Sequence, residues 1–483
     1  MELKKLLAGI EVLQSNAEMA LNIQMVRYSS REVQPGDLFV AIPGFATDGH
    51  KYIPDAVARG AAAVICEREM PDTVPWVQVK DARLALARLG VNYYNNPAAA
   101  MSMIGITGTN GKTSATYLLK SLLERATGAK VGLIGTICNL IGQEELHTER
   151  TTPESFELQG LLSKMRDAGC RYVLMEVSSH ALALNRVAGI RFCVGAFSNL
   201  TEDHLDFHKT MEDYRLAKAK LFTMCDRGVF NLDDPTAPQM IRDGSCAVYT
   251  VSTGQAADLR AEKIRLESDR IEMDVREGEA KARLTLGIPG RFTVSNALLT
   301  LGIARNLGIG LEEAVEALSH AKGIKGRIEV VPTPGKDFTV LIDYAHTPDG
   351  LENVLRSVRD FAKGRVVALF GCGGDRDRSK RPIMGKIAAD RADFVIVTSD
   401  NPRTEAPNAI IADILEGMQE TKTPYVVEPD RRKAIRLALA LGQKDDIIVL
   451  AGKGHEDYQI IGKEKFHLDE REEVAAALWE EKP

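Results

Sequence analysis

Apolar positions along the chain fall into short runs separated by glycine, proline and aspartate turns, and the period of each run sets the element it predicts. Asp37 to Ile42, Ala61 to Cys66 and Trp76 to Val79 read as strands, with a helical stretch at Ile53 to Arg59 between them, which makes a small α/β domain. Asn95-Asn96-Pro97 breaks that pattern. Beyond it, Met101 to Thr107 reads as a buried strand that runs through a glycine-rich turn into a helix from Lys112 to Ala126. Strands at Val131 to Ile134, Tyr172 to Val177 and Cys193 to Ser198, with helical segments between them, predict βαβ units and a mostly parallel sheet. Residues 262–288 alternate as antiparallel strands do, helices follow at Val294 to Leu307 and Leu311 to Ala321, and Gly323 to Pro334 reads as a linker. Strand and helix alternation then restarts, with strands at Thr339 to Ala345, Arg365 to Phe370, Phe394 to Thr398, Tyr425 to Glu428 and Ile447 to Ala451. The pattern predicts an α/β protein of three domains: a small N-terminal α/β domain over 1–98, a central parallel-sheet domain over 99–325, and a C-terminal doubly wound, Rossmann-like domain over 326–483.

Composition narrows the function classes. The 483 residues suit about three domains at roughly 150 residues each. Hydrophobic residues are 45% and charged residues 27%, values of a folding chain rather than a disordered or membrane one. A formal charge of -6 gives no global attraction for nucleic acid or anionic lipid, so the partners expected are small molecules. Seven cysteines without a CxxC pair point to buried thiols in a reducing compartment. The apolar run after Met1-Glu2-Leu3-Lys4-Lys5 is too short for a secretory core, and 18 uncharged apolar residues never run together. These features point to a cytoplasmic protein without membrane insertion, expected to be a monomer.

Six clusters carry candidate chemistry. Gly108-Thr109-Asn110-Gly111-Lys112-Thr113, with Ser114 after it, lies between a buried strand and a helix and reads as a P-loop: backbone amides cradle phosphate, Lys112 reaches the β and γ phosphates, and the Thr113 hydroxyl suits Mg²⁺. Ile106 stands where the full pattern has its first glycine. Glu176, in Met-Glu-Val-Ser178-Ser-His180 at a strand end, is placed either to hold a metal or simply at the surface. Asn199 to His208 crowds Glu202, Asp203, Asp206, His204 and His208 after the next strand, as a metal or phosphate site or a solvated acidic loop would. Lys218, in Tyr214-Arg-Leu-Ala-Lys, is an ordinary surface lysine by its helical spacing alone. Gly371 to Arg381 combines a glycine turn with cations that suit an anionic ligand, or forms a solvated basic loop. Asp400-Asn401-Pro402-Arg403 and Gly452-Lys-Gly-His-Glu456 each follow a third-domain strand and should line one sheet edge, where Arg403 offers a fork for a carboxylate and Glu456 an acceptor for an ammonium.

With MEVSSH, DHLDFH, YxxAK, DYAHTPD, GCGGDRD, DNPR and GKGHE following the phosphate loop in this order, the chain resembles the Mur ligases of bacterial peptidoglycan synthesis over essentially its whole length. The resemblance implies domains that bind in turn the UDP-linked substrate, ATP and the incoming amino acid. It also implies an ATP-dependent ligase that joins meso-diaminopimelate to the D-glutamate γ-carboxylate of UDP-N-acetylmuramoyl-L-alanyl-D-glutamate through an acyl phosphate, in building the cell wall. By resemblance, Lys112, Lys218 and His204 are catalytic, and Thr113, Glu176, His204 and a carbamylated Lys218 surround Mg²⁺. Asn296, Arg327, Asp343 and His346 match residues that hold ATP. Ser30, Thr151, Thr152, Ser178, Arg186 and Lys218 match contacts to the UDP-linked dipeptide, with Leu184 where the family often has Gln. Arg376, Asp400, Asn401, Pro402, Arg403, Gly452 and Glu456 match the diaminopimelate pocket. The third domain would close over the second about a hinge at Gly323 to Arg327.

Alternatives are the same step with L-lysine, a folylpolyglutamate synthase, which would leave DNPR with GKGHE unexplained, and a phosphate-loop switch. The last would need a guanine-reading or transporter signature, and neither is found.

Overall fold

Continuous Val/Ile/Leu runs are the mark of strands buried on both faces, and the third-domain strands fold that way. The computed structural model describes residues 1–44, 47–71, 74–148 and 150–480. Thr339–Asp343, Ile447–Ala451, Val366–Phe370, Phe394–Val397 and Tyr425–Val427 lie side by side in that order, all parallel, and Glu329–Val331 adds an antiparallel edge. Alternate residues feed two cores. Leu341, Val366, Ala368, Phe370, Val395 and Val449 face one side, and Val340, Ile342, Val367, Leu369, Ile396 and Ile448 face the other. Helices Pro348–Arg359, Lys380–Arg391 and Pro407–Glu416 pack in sequence, and Arg431–Leu441 packs on Glu470–Glu480. The edge strand Glu329–Val331 falls inside the stretch read as a linker; its three residues are too few to show a period.

The chain forms two compact units, Met1–Leu259 with Leu299–Gly310, and Arg260–Leu298 with Leu311–Pro483. In the second, Ile271–Glu277 pairs antiparallel with Ala280–Leu286, as the alternation over 262–288 predicts. The first unit holds two sheets. Four parallel strands, Trp76–Val79, Ala63–Cys66, Leu38–Val40 and Val26–Arg27, gain an antiparallel edge from Val12–Ser15, where no strand was expected. In the larger sheet Ala247–Ser252, Cys225–Asn231, Phe192–Phe197, Ser102–Thr107, Tyr172–Glu176 and Val131–Ile134 run parallel in that order, and the hairpin Asn139–Ile141 with Glu144–Leu146 follows. Among the described residues no helix is long and apolar enough to cross a membrane.

One buried ion pair ties the ends of the third-domain strands. Arg431 and Glu470 are both fully buried and 2.7 Å apart. Arg431 also donates to the carbonyls of Ser399 (3.2 Å) and Ala451 (2.9 Å), the residues just before Asp400 and Gly452. Burial pushes the Glu470 carboxyl up despite Arg431. Such a pair adds little net stability, yet breaking it strands a charge. Arg431→Met is therefore expected to destabilise the fold by about 3–5 kcal/mol, and Arg431→Met with Glu470→Leu to recover most of that loss; urea unfolding of both variants checks it.

Candidate functional site

Parallel register brings three strand ends of the first unit to one level. Glu176 pairs with Ile106 and Phe197 with Thr107, so the phosphate loop, Glu176 and Asn199 leave the sheet at the same edge. The loop is locked from the neighbouring exit: Asn199 accepts from the amides of Thr109 (2.8 Å, backbone oxygen) and Asn110 (2.9 Å, Oδ1), and the Ser198 hydroxyl donates to the Asn110 carbonyl (2.7 Å). Gly108 has φ +150°, and a Cβ there would stand 1.9 Å from Ser198 Oγ, so this position requires glycine. Gly111, at φ +85°, turns the chain into the helix Lys112–Thr127, with Thr113 and Ser114 in its first turn.

Two lysines converge on this loop. Lys112 Nζ donates to the carbonyls of Gly108 and Thr109, both at 2.8 Å, and Lys218 Nζ donates to the same Gly108 carbonyl at 2.8 Å. Lys218 is thus not the surface lysine that spacing alone suggests; the residue is 1% exposed and its ammonium sits 4.4 Å from the centre of the Tyr214 ring. Burial lowers the proton affinity of both lysines, and for Lys218 the charge of Lys112 lowers it further.

Glu176 is fully buried and fully bonded. Its carboxylate accepts from the Thr113 hydroxyl (2.8 Å), the Thr136 hydroxyl (3.0 Å) and the Thr136 amide (3.0 Å). A carboxylate touching the hydroxyl of the loop threonine is an all-oxygen donor set, which suits a hard cation such as Mg²⁺. Among the described residues no three His, Cys, Asp or Glu side chains gather as a complete metal cage. His204 lies 3.4 Å from the Asp203 carboxylate and its ring 4.8 Å from that of His180; no hydrogen bond among the described residues joins it to Thr113 or Glu176. The Asp206 side chain lies outside the described residues. Thr136 was not anticipated, although Gly135-Thr136 directly after an apolar strand was the available signal.

Of the residues matched to the UDP-linked substrate, Thr151 and Thr152 lie beside Glu176 and its partner Thr136, with Ser178 in contact with Thr152. Thr151 Oγ1 lies 3.1 Å from Thr136 Oγ1, and Thr152 donates to the Glu176 carbonyl (2.7 Å) and contacts Ser178 Oγ (3.3 Å). Arg186 donates to the Thr152 carbonyl (3.2 Å) and pairs with Glu154 (3.3 Å). Leu184 caps the short helix Ser179–Ala183 through its backbone. Ser30 is buried in the N-terminal sheet region and hydrogen-bonds Asp55.

In the second unit, Arg327, Asp343 and His346 gather around Tyr344. The Arg327 guanidinium lies 5.4 Å from the centre of the Tyr344 ring, and His346 Nδ1 is 2.8 Å from the Tyr344 carbonyl. Asp343 accepts from the amides of Ile328 (2.8 Å) and Ala345 (2.9 Å), and burial pushes its carboxyl up in spite of them. Asn296 is buried on the helix Arg291–Asn306.

DNPR and GKGHE do share one edge, as expected from the strand order. Asn401 Nδ2 donates to Glu456 (2.9 Å), and the fully buried Lys453 of GKGHE reaches Asn401 Oδ1 (2.8 Å) and Asp400 Oδ1 (3.1 Å) of DNPR. Burial would raise the Asp400 carboxyl, but the charges of Lys453 and Arg431 outweigh it and hold it below the ordinary value. Arg403 takes a left-handed backbone, φ +51°, which a short hairpin fixes: its amide donates to the Ile460 carbonyl (3.1 Å) and its carbonyl accepts from Gly462 (2.7 Å). Its guanidinium donates to the Gly374 carbonyl (2.9 Å). Arg376 is exposed on the same glycine turn; a Cβ on Gly373 would meet both arginines, and one on Gly374 would stand 1.9 Å from the Pro402 carbonyl. Gly452, at φ +115°, brings the GKGHE backbone against Asp400. The arrangement presents cations to a carboxylate and acceptors to an ammonium within one loop cluster.

Three family models match the chain: the Mur ligase family, catalytic domain over residues 22–94, the Mur ligase middle domain over 106–304, and the Mur ligase, glutamate ligase domain over 326–454. The chain is 48% identical to a UDP-N-acetylmuramoyl-L-alanyl-D-glutamate--2,6-diaminopimelate ligase of Caldanaerobacter subterraneus subsp. tengcongensis, with 99% of each chain covered. It is 45% identical to the Clostridium tetani protein of the same name, covering 99% of this chain and 100% of that one. A solved structure of a ligase of that name is 31% identical, covers 100% of this chain and 99% of its own, and superposes with a TM-score of 0.76. The phosphate loop, the carboxylate beside it and the paired DNPR and GKGHE loops therefore sit in a chain that belongs to the Mur ligase family.

Proposed function

We propose that this chain is the ATP-dependent ligase that joins meso-diaminopimelate to the γ-carboxylate of UDP-N-acetylmuramoyl-L-alanyl-D-glutamate. The observation that carries the reading is the contact of Thr113 with Glu176 at the mouth of the phosphate loop, with Lys112 and Lys218 both donating to the Gly108 carbonyl of that loop. Kinship over the whole length to ligases of that name supports the choice of substrates. In the first step the substrate γ-carboxylate attacks the γ-phosphorus of ATP, and ADP leaves. The amine of diaminopimelate then attacks the acyl carbon, and phosphate leaves with the electron pair of the C–O bond.

Each residue has a physical task in this scheme. Two anions must approach, and Lys112 supplies a point charge where the γ-phosphate transfers. Thr113 and Glu176 would hold Mg²⁺, with His204 and Lys218 nearby; bound Mg²⁺ supplies charge neutralisation across the phosphates. Lys218 would serve as a carbamate, since addition of CO₂ to its amine, with loss of a proton, turns a buried cation into an anionic oxygen donor. Thr151, Thr152, Ser178, Arg186 and Ser30 would orient the UDP-linked dipeptide. Asn296, Arg327, Asp343 and His346 would hold the nucleotide, and Asp400, Asn401, Pro402, Gly452 and Glu456 the amino-acid end of diaminopimelate. Arg403, with Arg376 beside it, would take the carboxylate at the far end.

Three outcomes test this. Lys112→Ala should lower turnover about 10²-fold or more, the scale of losing one transition-state donor; phosphate release in the presence of all three substrates measures it. Lys218→Ala should nearly abolish turnover and regain part of it with added short-chain carboxylates, and full activity without them would refute the carbamate. L-lysine lacks the second carboxylate and would leave the Arg403 guanidinium facing an ammonium. Losing one partner of such a pair costs about 2–5 kcal/mol, so kcat/KM should favour diaminopimelate by roughly 30-fold to several thousand-fold, and Arg403→Ala should erase most of that preference. Equal kcat/KM for the two amino acids in the unaltered enzyme would overturn the choice of substrate.

A further inference from the structure

Lys453 has no role in the scheme above, yet it is the most enclosed charge of the amino-acid pocket, with no exposed side-chain surface. Its flanking glycines, Gly452 at φ +115° and Gly454 at φ +55°, fold the loop so that the side chain between them turns inward. The ammonium meets three oxygens: Asn401 Oδ1 at 2.8 Å, Asp400 Oδ1 at 3.1 Å and Glu456 Oε2 at 3.2 Å. A side-chain amide has one acceptor and one donor end, and here the choice is forced. Asn401 Oδ1 accepts from Lys453 and from the Ile460 amide (2.9 Å), which leaves Nδ2 to donate to Glu456 Oε2 (2.9 Å). Both donors to Glu456 thus fall on Oε2, and Oε1 is left for a ligand.

We infer that Lys453 is a positioning residue of the amino-acid pocket: it fixes the Asn401 amide and the Glu456 carboxylate so that Glu456 Oε1 receives the ammonium of the incoming amino acid. The inference rests on the reading that Asn401 and Glu456 bind that amino acid. Without the lysine, the Asp400 and Glu456 carboxylates would lose the one cation that both meet (3.1 and 3.2 Å), and like charges so close spread apart or take up a proton. Either response removes the oriented acceptor.

The experiment compares Lys453→Met, Glu456→Gln and the double variant of the full-length enzyme, with KM and kcat determined separately for diaminopimelate, ATP and the UDP-linked dipeptide. Lys453→Met should raise KM for diaminopimelate about tenfold or more, the size of a coupling within one hydrogen-bond network, and leave the other two KM values within about twofold. The double variant should bind diaminopimelate no worse than Glu456→Gln alone, because the lysine acts through that carboxylate. A purely structural lysine would instead lower the unfolding midpoint with KM for diaminopimelate unchanged, and that result overturns the inference. So does a double variant whose loss is the product of the single losses. If Lys453→Met does not fold, Lys453→Gln is read in the same way. Failure of both to fold while Glu456→Gln folds also overturns it. A silent Glu456→Gln would refute the pocket assignment itself, whereas a raised KM in Glu456→Gln beside an unchanged KM in Lys453→Met refutes only the role of Lys453.

Discussion

Parallel strand register is the constraint on which the chemistry of both units depends. Strands that start in step must end in step, so every loop that leaves the carboxyl edge begins at a common height. In the first unit this pairs Glu176 with Ile106 and Phe197 with Thr107; in the second it pairs Asp343 with Ala451 and Phe370 with Val397. Bonds that cross between exits then lock the level, as when Thr107 Oγ1 donates to the Val177 carbonyl at 2.8 Å. A one-residue slip in any of these strands would turn Glu176 or Asp343 to the opposite face and leave its amide and hydroxyl donors unmatched.

The same edges carry an unusual number of enclosed cations. Lys112 and Lys218 are caught by loop carbonyls, Arg431 by Ser399, Ala451 and Glu470, and Arg381 by Glu405 and Asp413. Desolvating a cation is costly unless oxygens surround it. Here the oxygens belong largely to loops that, in the proposed function, also receive anions. On that reading structure and affinity draw on the same charges: Lys112 and Lys218, which hold the phosphate loop in shape, are also those that would attract phosphate.

Strands that are mainly apolar were legible in the sequence. Trp76–Val79, Val131–Ile134 and Ile447–Ala451 fall where their hydrophobic pattern puts them, because both faces of each strand are buried. The short hairpins were not. Glu464–His467 is exposed at all four positions, and Glu144–Leu146 nearly so, so neither shows an alternation to read. At the candidate site, the phosphate loop could be read because its function lies in contiguous backbone. Lys218 and Lys453 could not be placed from their spacing, since what buries each is a residue far away in sequence, Gly108 in one case and Asn401 in the other. Thr136 was missed for the same reason: its partner, Glu176, is supplied by register.

The hairpin that fixes Arg403 has a consequence for how the molecule loses its properties. A left-handed arginine is held there by two backbone bonds to residues 460 and 462, and the strands of that hairpin, Tyr458–Ile461 and Glu464–His467, are half-buried at most and form a two-stranded sheet tied to the rest at Arg403, Asp400 and Asn401. Such ribbons have little local stability of their own and open long before a sheet core does. The Thr113–Glu176 contact, by contrast, stands at the end of strands buried on both faces. If Arg403 selects the amino acid as proposed, gentle warming or dilute denaturant should blunt that selection while phosphoryl transfer persists. On the reading that Arg403 receives the far carboxylate, fidelity would rest on a thin surface ribbon, and a heated enzyme would become promiscuous before it became inactive.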